Sequence, residues 1–596
     1  MAEHYEGVRA QPRKDLKPPP HWRLEAVAHT PRPRSLVLAA DRRHAFFIED
    51  RDTSDVYRLD LQGGAPERLT TGRELVAWWE YPAPRPSPDG RTVAYSDNDH
   101  VWLAPTAGGP PRRLVEGTGP VWIDEYRLLV SVERDGATRL AVVDVERPWP
   151  QPLSQIDDPG DEEEPAVSPD GTKVAFTFFP RDDLNRSEIR VANLEMAVTS
   201  APTGTPRMHD RAPAWSPDGR TLAFASERSG FYELHLLGPD DDDRQLTHAG
   251  ADHSEFEWHP DGDRLVAVRG RRNRFDLVSV DAATGGATVL AEGGRWGSPH
   301  WTASGEVLAT YEAHDTPPEL RLAGRTLHAP APKAVRRAPH ARLEEVTFPS
   351  FDGLEIPGLL LRPRDATHAP AVVHPHGGPT DAAGDEWDGH AQYFVDKGYA
   401  WLAVNFRGST GYGREFERRN HGVWGVEDTK DCLAAADYLR GLDWIDGDRL
   451  AIFGGSYGSY MALLSVVDDP EHRFRCAATK YGDCDILTSW AQGDRLGVQD
   501  LERMMRHPSQ ARAAYRAGSP FHRLANLQVP LLIAHGERDE RVHPQQSEQL
   551  VAELQRLGGK TFEYVTYPTE GHGFLHAGPQ LDFYRRLERF LDWHLL

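Results

Sequence analysis

Cysteine is scarce, with only Cys432, Cys476 and Cys484 in 596 residues. Three cysteines cannot form a disulfide framework, and theirs lack metal-ligand spacing, so a reducing compartment is the simpler setting. Long apolar runs are also missing: no stretch approaches the ~18 uninterrupted apolar residues of a membrane span. The opening Met1-Ala-Glu-His-Tyr-Glu-Gly-Val8 has no apolar core of a secretory signal. A cytoplasmic location is the default expectation. Basic residues are outnumbered, 68 Lys+Arg against 91 Asp+Glu, for a formal net charge of −23. Such a surface repels phosphodiester backbones and anionic lipid, so neither nucleic acid nor a membrane is an expected partner. Turn-forming residues are abundant, with 53 Gly and 47 Pro. At ~150 residues per domain, the length calls for several compact units or two large ones.

The first half repeats. Ser-Pro-Asp-Gly stands at Ser87–Gly90, Ser168–Gly171 and Ser216–Gly219, with His259-Pro-Asp-Gly262 as a variant. Each is followed by a short β-prone run such as Thr92-Val-Ala-Tyr95 or Lys173-Val-Ala-Phe176. Pro presets φ, Asp bonds its own backbone and Gly takes positive φ, so the unit reads as strand, tight turn, strand. Alternating strands follow, among them Glu188-Ile-Arg-Val191 and Glu233-Leu-His-Leu236. About seven units at spacings of roughly 35–48 residues match four-stranded propeller blades. The expectation is a seven-bladed β-propeller over 34–325, after an N-terminal extension over 1–33. Two acidic runs lie in this array, Asp157-Asp158 with Asp161–Glu164, and Asp240–Asp243. Glu163-Glu164 runs straight into Pro165, and both runs read as solvated loop charge.

The Pro- and Ala-rich segment around His328–His340 reads as a linker over 326–342. From Leu343 apolar β runs alternate with helical stretches. Ala371–His374, Ala400–Asn405, Arg449–Phe453, Val529–Ala534 and Thr561–Val565 are expected strands. Asp428–Arg440, Pro544–Leu557 and Leu581–Leu595 carry helical spacing. This predicts a doubly wound, mostly parallel sheet over 343–596, an α/β-hydrolase, with functional residues beyond the carboxyl ends of strands.

The strand ending at Phe453 runs into Gly454-Gly455-Ser456-Tyr457-Gly458 and then a helical run. This is a G-x-S-x-G elbow in the strand–turn–helix context that gives the motif meaning. A serine hydroxyl needs a base, and the base needs an orienting carboxylate, in the chain order Ser, acid, His. The loop His535–Val542 offers three acids, of which Asp539 lies beyond the turn at Gly536. His572 is bracketed by Gly571 and Gly573 after a strand end. Ser456, Asp539 and His572 are therefore the expected catalytic residues. The Tyr457 N–H and the Gly378 N–H, from His376-Gly377-Gly378-Pro379, are the expected oxyanion donors. His374 with His376, and His535 with His543, make poor metal sites, so no metal and no cofactor is expected.

Taken together, Gly454–Gly458, Asn405–Gly413, Trp424-Gly425 with Asp428 and Asp431, His535–Val542 and Glu570–Phe574 resemble the prolyl oligopeptidase family of serine peptidases, nearest its acylaminoacyl-peptidase-like branch. The resemblance implies the same triad and oxyanion donors. Two departures stand out: Ser459 replaces a usual glycine, and Lys480–Asp485, near the specificity pocket, is atypical. The expected activity is hydrolysis of amide bonds in short peptides or acyl-amino acids, with the propeller restricting access to small substrates. One alternative is a specialised amide or ester hydrolase acting on a small metabolite, such as an aminoacylated one. The other is a non-catalytic propeller scaffold. Tyr481 and Trp490 are candidates to line a side-chain pocket, and Arg407 and Arg541 to bind a substrate carbonyl or carboxylate. Homo-oligomers occur often in the family and are an expectation here.

Overall fold

The recurring Ser-Pro-Asp-Gly turn closes the same way at each site in the computed structural model, which describes residues 19–73, 83–154, 158–196, 198–240 and 242–596. At the first, Gly90 N–H donates to Ser87 O (2.9 Å) and Thr92 N–H to Ser87 Oγ (3.0 Å), while Ser87 Oγ–H donates to Asp89. The glycines take φ near +70° at Gly90, Gly171 and Gly219. In the variant, His259 Nδ1 replaces the serine hydroxyl and accepts from Asp261 N–H.

These turns join the first two strands of a blade. Among the described residues there are seven four-stranded antiparallel sheets, beginning with the strands Arg32–Leu38, Arg85–Pro86, Thr118–Trp122, Gly160–Val167, Asp210–Trp215, Asp252–Trp258 and Arg295–Trp301. The seven-bladed propeller is thus present, within the compact unit Pro31–Ala331. Each blade is built from consecutive strands, so the ring closes by packing rather than by strand exchange. Leu36, Ala45, Phe47 and Leu59 of the first blade share a core with Leu308, Leu320 and Leu322 of the last.

The acidic run at Asp161–Glu164 corrects the solvated-loop reading. It lies within a strand, and Asp161 and Glu162 are buried. Glu162 accepts Leu140 N–H (2.9 Å), and Glu164 accepts Ala212 N–H (2.8 Å) and Arg211 (2.6 Å) from the next blade. Lying between blades, these acids satisfy backbone donors of the strands on either side. Asp157, Asp241 and residues 1–18 of the expected extension lie outside the described residues.

The second unit comprises Pro332–Leu596 with the described residues ahead of Pro31. Its sheet has eight strands: β1 (Arg342–Pro349), β2 (Glu355–Arg362), β3 (Ala369–Pro375), β4 (Ala400–Val404), β5 (Ile445–Gly455), β6 (Cys476–Lys480), β7 (Leu531–Gly536) and β8 (Phe562–Tyr567). The order is β1-β2-β4-β3-β5-β6-β7-β8, antiparallel through the β2–β4 pair and parallel from β4 to β8. Alternate residues bury into opposite layers. Val373 and Ile452 face a layer containing α2 (Asp428–Arg440), α3 (Tyr457–Val467) and α7 (Gln545–Leu557). Val372 and Phe453 face α1 (Gly389–Lys397) and α8 (Ala577–Leu595). Between β6 and β7 the chain forms α4 (Ile486–Gln492), α5 (Arg495–Met505) and α6 (Pro508–Gly518). Covered on both faces, the parallel strands are near-continuous apolar runs.

The stretch expected as a linker is structured. Arg325–His328 is the last propeller strand, and Lys333–Arg337 forms a helical turn whose Val335 packs beside Trp22 in the hydrolase core. Proline-rich composition hid the few apolar residues that pin it. No described helix is long and apolar enough to cross a membrane.

Candidate active site

Ser456 sits between β5 and α3 with φ +54° and ψ −125°, a conformation rarely open to a residue with a side chain. Crowding around it explains the flanking glycines. A Cβ on Gly454 would lie 2.3 Å from the Gly458 backbone, and one on Gly458 would lie 2.2 Å from Pro375 O. Helix and strand therefore approach as closely as backbones allow, and the serine is held at the bend. Ser459 fills the place of the usual glycine and adds a clasp: its hydroxyl lies 2.8 Å from both Gly454 O and Lys480 O.

His572 Nε2 lies 2.9 Å from Ser456 Oγ, and His572 Nδ1 lies 2.8 Å from Asp539 Oδ2. The buried Asp539 uses its other oxygen to accept Arg541 N–H (3.0 Å) and Val542 N–H (2.9 Å). Burial raises its pKa, but His535 and His572 outweigh that and bring it down to about 2. The two other acids of the loop are engaged elsewhere or face away: Glu537 accepts from Thr566, and it is the backbone carbonyl of Glu540 that receives Asp494 N–H. A Cβ on Gly536 would meet Glu570 O at 2.4 Å, so the loops carrying Asp539 and His572 touch through backbone.

Tyr457 is the first residue of α3, so its N–H has no intrahelical acceptor. Its buried side chain donates to Asp428 Oδ2 (2.5 Å) at the start of α2. Gly377 and Gly378 follow β3; a Cβ on Gly377 would be 3.6 Å from Ser456 Cβ, and Gly378 takes φ +116°. Asn405 steadies this loop, accepting Ala383 N–H (2.7 Å) and donating to Ala383 O (2.9 Å).

The four expected substrate-binding residues divide. Tyr481 is at the site, its ring 4.7 Å from that of His572. Arg407 is a correction: it is buried, and its guanidinium is held by Asp431, Asp352 and Glu427. It fastens β4's following loop to α2 and has no donor turned to a substrate. Trp490 is also corrected; its Nε1–H donates to Glu502 (2.9 Å) and its ring packs against His507 and the core. Arg541 is committed to Asp494 (2.9 Å). His535 was weighed in the sequence only as a metal ligand, and its place beside Asp539 was missed. Buried behind Asp539, it lies 3.5 Å from Asp539 Oδ2, with Ser547 and Val542 O on its two nitrogens. Its place directly at the β7 end was the available signal. Among the described residues no group of three or more His, Cys, Asp or Glu is arranged to hold a metal ion.

Residues 386–596 match the prolyl oligopeptidase family, and residues 130–327 match the TolB beta propeller domain. The prolyl oligopeptidase match covers the segment that carries Ser456, Asp539 and His572. An uncharacterized peptidase, YuxL, of Bacillus subtilis is 33% identical to this chain over 266 residues, covering 42% of it and 38% of that protein. Dipeptidyl-peptidase 5 of Porphyromonas gingivalis is 24% identical over 452 residues, 71% of this chain and 66% of its own. The human acylamino-acid-releasing enzyme is 26% identical over 372 residues, 57% and 50% respectively. The matched part thus spans about one third to two thirds of these relatives. The crystal structure of puromycin hydrolase superposes with a TM-score of 0.84 at 21% identity, covering 98% of this chain and 96% of that one. An acylaminoacyl peptidase from Pyrococcus horikoshii gives 0.75 at 18%, covering 96% and 98%.

Proposed function

We propose that the protein is a serine peptidase that hydrolyses amide bonds of short peptides or acyl-amino acids through an acyl-enzyme. The observation that carries this reading is the continuous Ser456–His572–Asp539 chain at 2.9 and 2.8 Å. Ser456 Oγ attacks the substrate carbonyl while its proton passes to His572 Nε2. Asp539 fixes the imidazole with Nδ1–H toward itself and stabilises the imidazolium. The Tyr457 and Gly378 N–H groups stabilise the oxyanion, each worth roughly 3–4 kcal/mol at the transition state. His572 then hands its proton to the leaving nitrogen, and the C–N bond breaks. Water, deprotonated by His572, releases the acid and restores Ser456.

The likeness to puromycin hydrolase over nearly the whole chain supports a second reading, hydrolysis of a small aminoacyl amide by the same machinery. A panel of acyl-amino acid, free dipeptide, longer peptide and simple ester substrates separates the two. The same panel, extended to folded proteins, tests whether the propeller confines the enzyme to small substrates. A fluorophosphonate should label wild type at Ser456, and Ser456→Ala should lose both label and turnover. Retained turnover in Ser456→Ala would overturn the mechanism.

A further inference from the structure

The loop after β6 brings one acid to the triad that the mechanism does not use. Gly482 lies against the elbow: a Cβ there would be 2.2 Å from Ser459 Cβ and 3.1 Å from Ser456 O. Tyr481, just before it, packs its ring beside His572. Just after it, Cys484 N–H and Asp485 N–H both donate to Gln546 Oε1 (3.1 and 3.0 Å), which anchors the loop to α7. Asp485 is structural, capping α4 through Leu487 N–H (3.0 Å) and accepting from Ser519. Asp483 is pinned between these two fixed points.

Its carboxyl is incompletely matched. Oδ1 is buried and accepts no hydrogen bond, and among the described residues no lysine or arginine pairs with the group. The side chains acting on it are the Ser489 hydroxyl and then His572, Asp539 and His535. Burial pushes its pKa up. A carboxylate removed from water without a cation is costly, and a buried polar atom without a partner calls for one. The residue as a whole is half-buried rather than sealed in the core. A substrate ammonium beside the carboxyl would supply the cation that the group lacks, whereas a neutral group would not.

We propose that Asp483 is a specificity residue that receives a primary ammonium from the substrate residue whose carbonyl Ser456 attacks. The inference rests on the serine-hydrolase reading above and deepens it, because it names the substrate class. The ammonium has two sources: the α-amine of an unblocked N-terminal residue, which would make the enzyme an aminopeptidase, or the ε-amine of lysine. Among groups of this shape, a site built around a charged partner discriminates strongly against substrates that leave it unpaired.

Three p-nitroanilides separate the possibilities. Alanine p-nitroanilide carries only the α-ammonium, Nα-acetyl-lysine p-nitroanilide only the ε-ammonium, and acetyl-alanine p-nitroanilide neither. Wild type should turn over one of the first two with kcat/KM at least 10-fold above the third. Asp483→Asn should lose 10- to 100-fold on that substrate alone, keep acetyl-alanine p-nitroanilide turnover within two-fold, and still take the fluorophosphonate label. No preference for either ammonium in wild type, or an equal loss on all three substrates in Asp483→Asn, would overturn the proposal. The wild-type panel reads the preference even if the variant fails to fold. Absence of labelling and of all turnover in wild type would instead sink the serine-hydrolase reading itself.

Discussion

Ser456 holds a positive φ because the two glycines around it leave no alternative path for strand and helix. That constraint is local, which is why the strand–turn–helix elbow was legible in five residues of sequence. Asp539 and His572 were legible for a related reason: glycine-flanked loops at consecutive strand ends can converge only at one edge of a parallel sheet. Arg407 was misread, because a sequence shows an arginine after a strand but not that Asp431, 24 residues on, waits to bury it. The consequence for Asp539 is measurable. Its folded-state pKa of about 2 lies below the ordinary 3.8, so its ionised form stabilises the fold above about pH 4, and that contribution is lost as pH falls toward 2. The difference in thermal midpoint between wild type and Asp539→Asn should be present at pH 5 and close between pH 4 and 2. At neutral pH the same variant should lower kcat by about 10³- to 10⁴-fold, since an amide presents the wrong partner to the imidazole. A midpoint difference that persists to pH 2 would contradict the assignment.

At the scale of elements, α2 was expected over Asp428–Arg440 and is found there, because Ala, Leu and Asp recur at helical spacing against the sheet. β1, β2 and β6 were not anticipated. β1, at the sheet edge, breaks the alternation with adjacent Glu344 and Glu345, and β6, Cys476-Ala-Ala-Thr-Lys480, carries small residues that give little hydrophobic signal. The Asp428–Tyr457 contact joins α2 to the residue after Ser456, and only the packed structure brings them together. Burial raises the Asp428 pKa to about 7, although the Tyr457 hydroxyl works the other way. Between about pH 4 and 7 the folded protein therefore keeps a proton that the unfolded chain has released. Stability from this group is full below pH 4 and declines as pH rises through 7, by up to about 1.4 kcal/mol per pH unit. Asp428→Asn keeps the acceptor but removes the ionisation. Its thermal midpoint relative to wild type should rise from pH 4 to 7 and level off above; a difference independent of pH would show that Asp428 does not titrate in that window.

At the scale of the whole chain, the repeat turns announced seven blades and the Pro- and Ala-rich stretch marked where the propeller ends, but nothing in the sequence tied the segment ahead of the propeller to the unit after it. The described residues ahead of the propeller belong with the hydrolase unit that follows it, so that unit is assembled from two distant parts of the chain. Trp22 is the anchor. It is 2% exposed, sits edge-on to His340 (4.9 Å) and near Trp387, and shares a core with Leu24, Val27, Phe394 and Leu591. His21 reinforces it through Asp396 (2.8 Å). Removing so large a buried ring costs about 3–5 kcal/mol. Because each unit has its own core, that loss should be confined to one of them. Hydrogen exchange of Trp22→Ala should show faster exchange in α1 and α8, with the propeller strands unchanged. Uniform loss of protection across both units would mean that they unfold as one, and that the segment ahead of the propeller supports the whole molecule rather than the hydrolase alone.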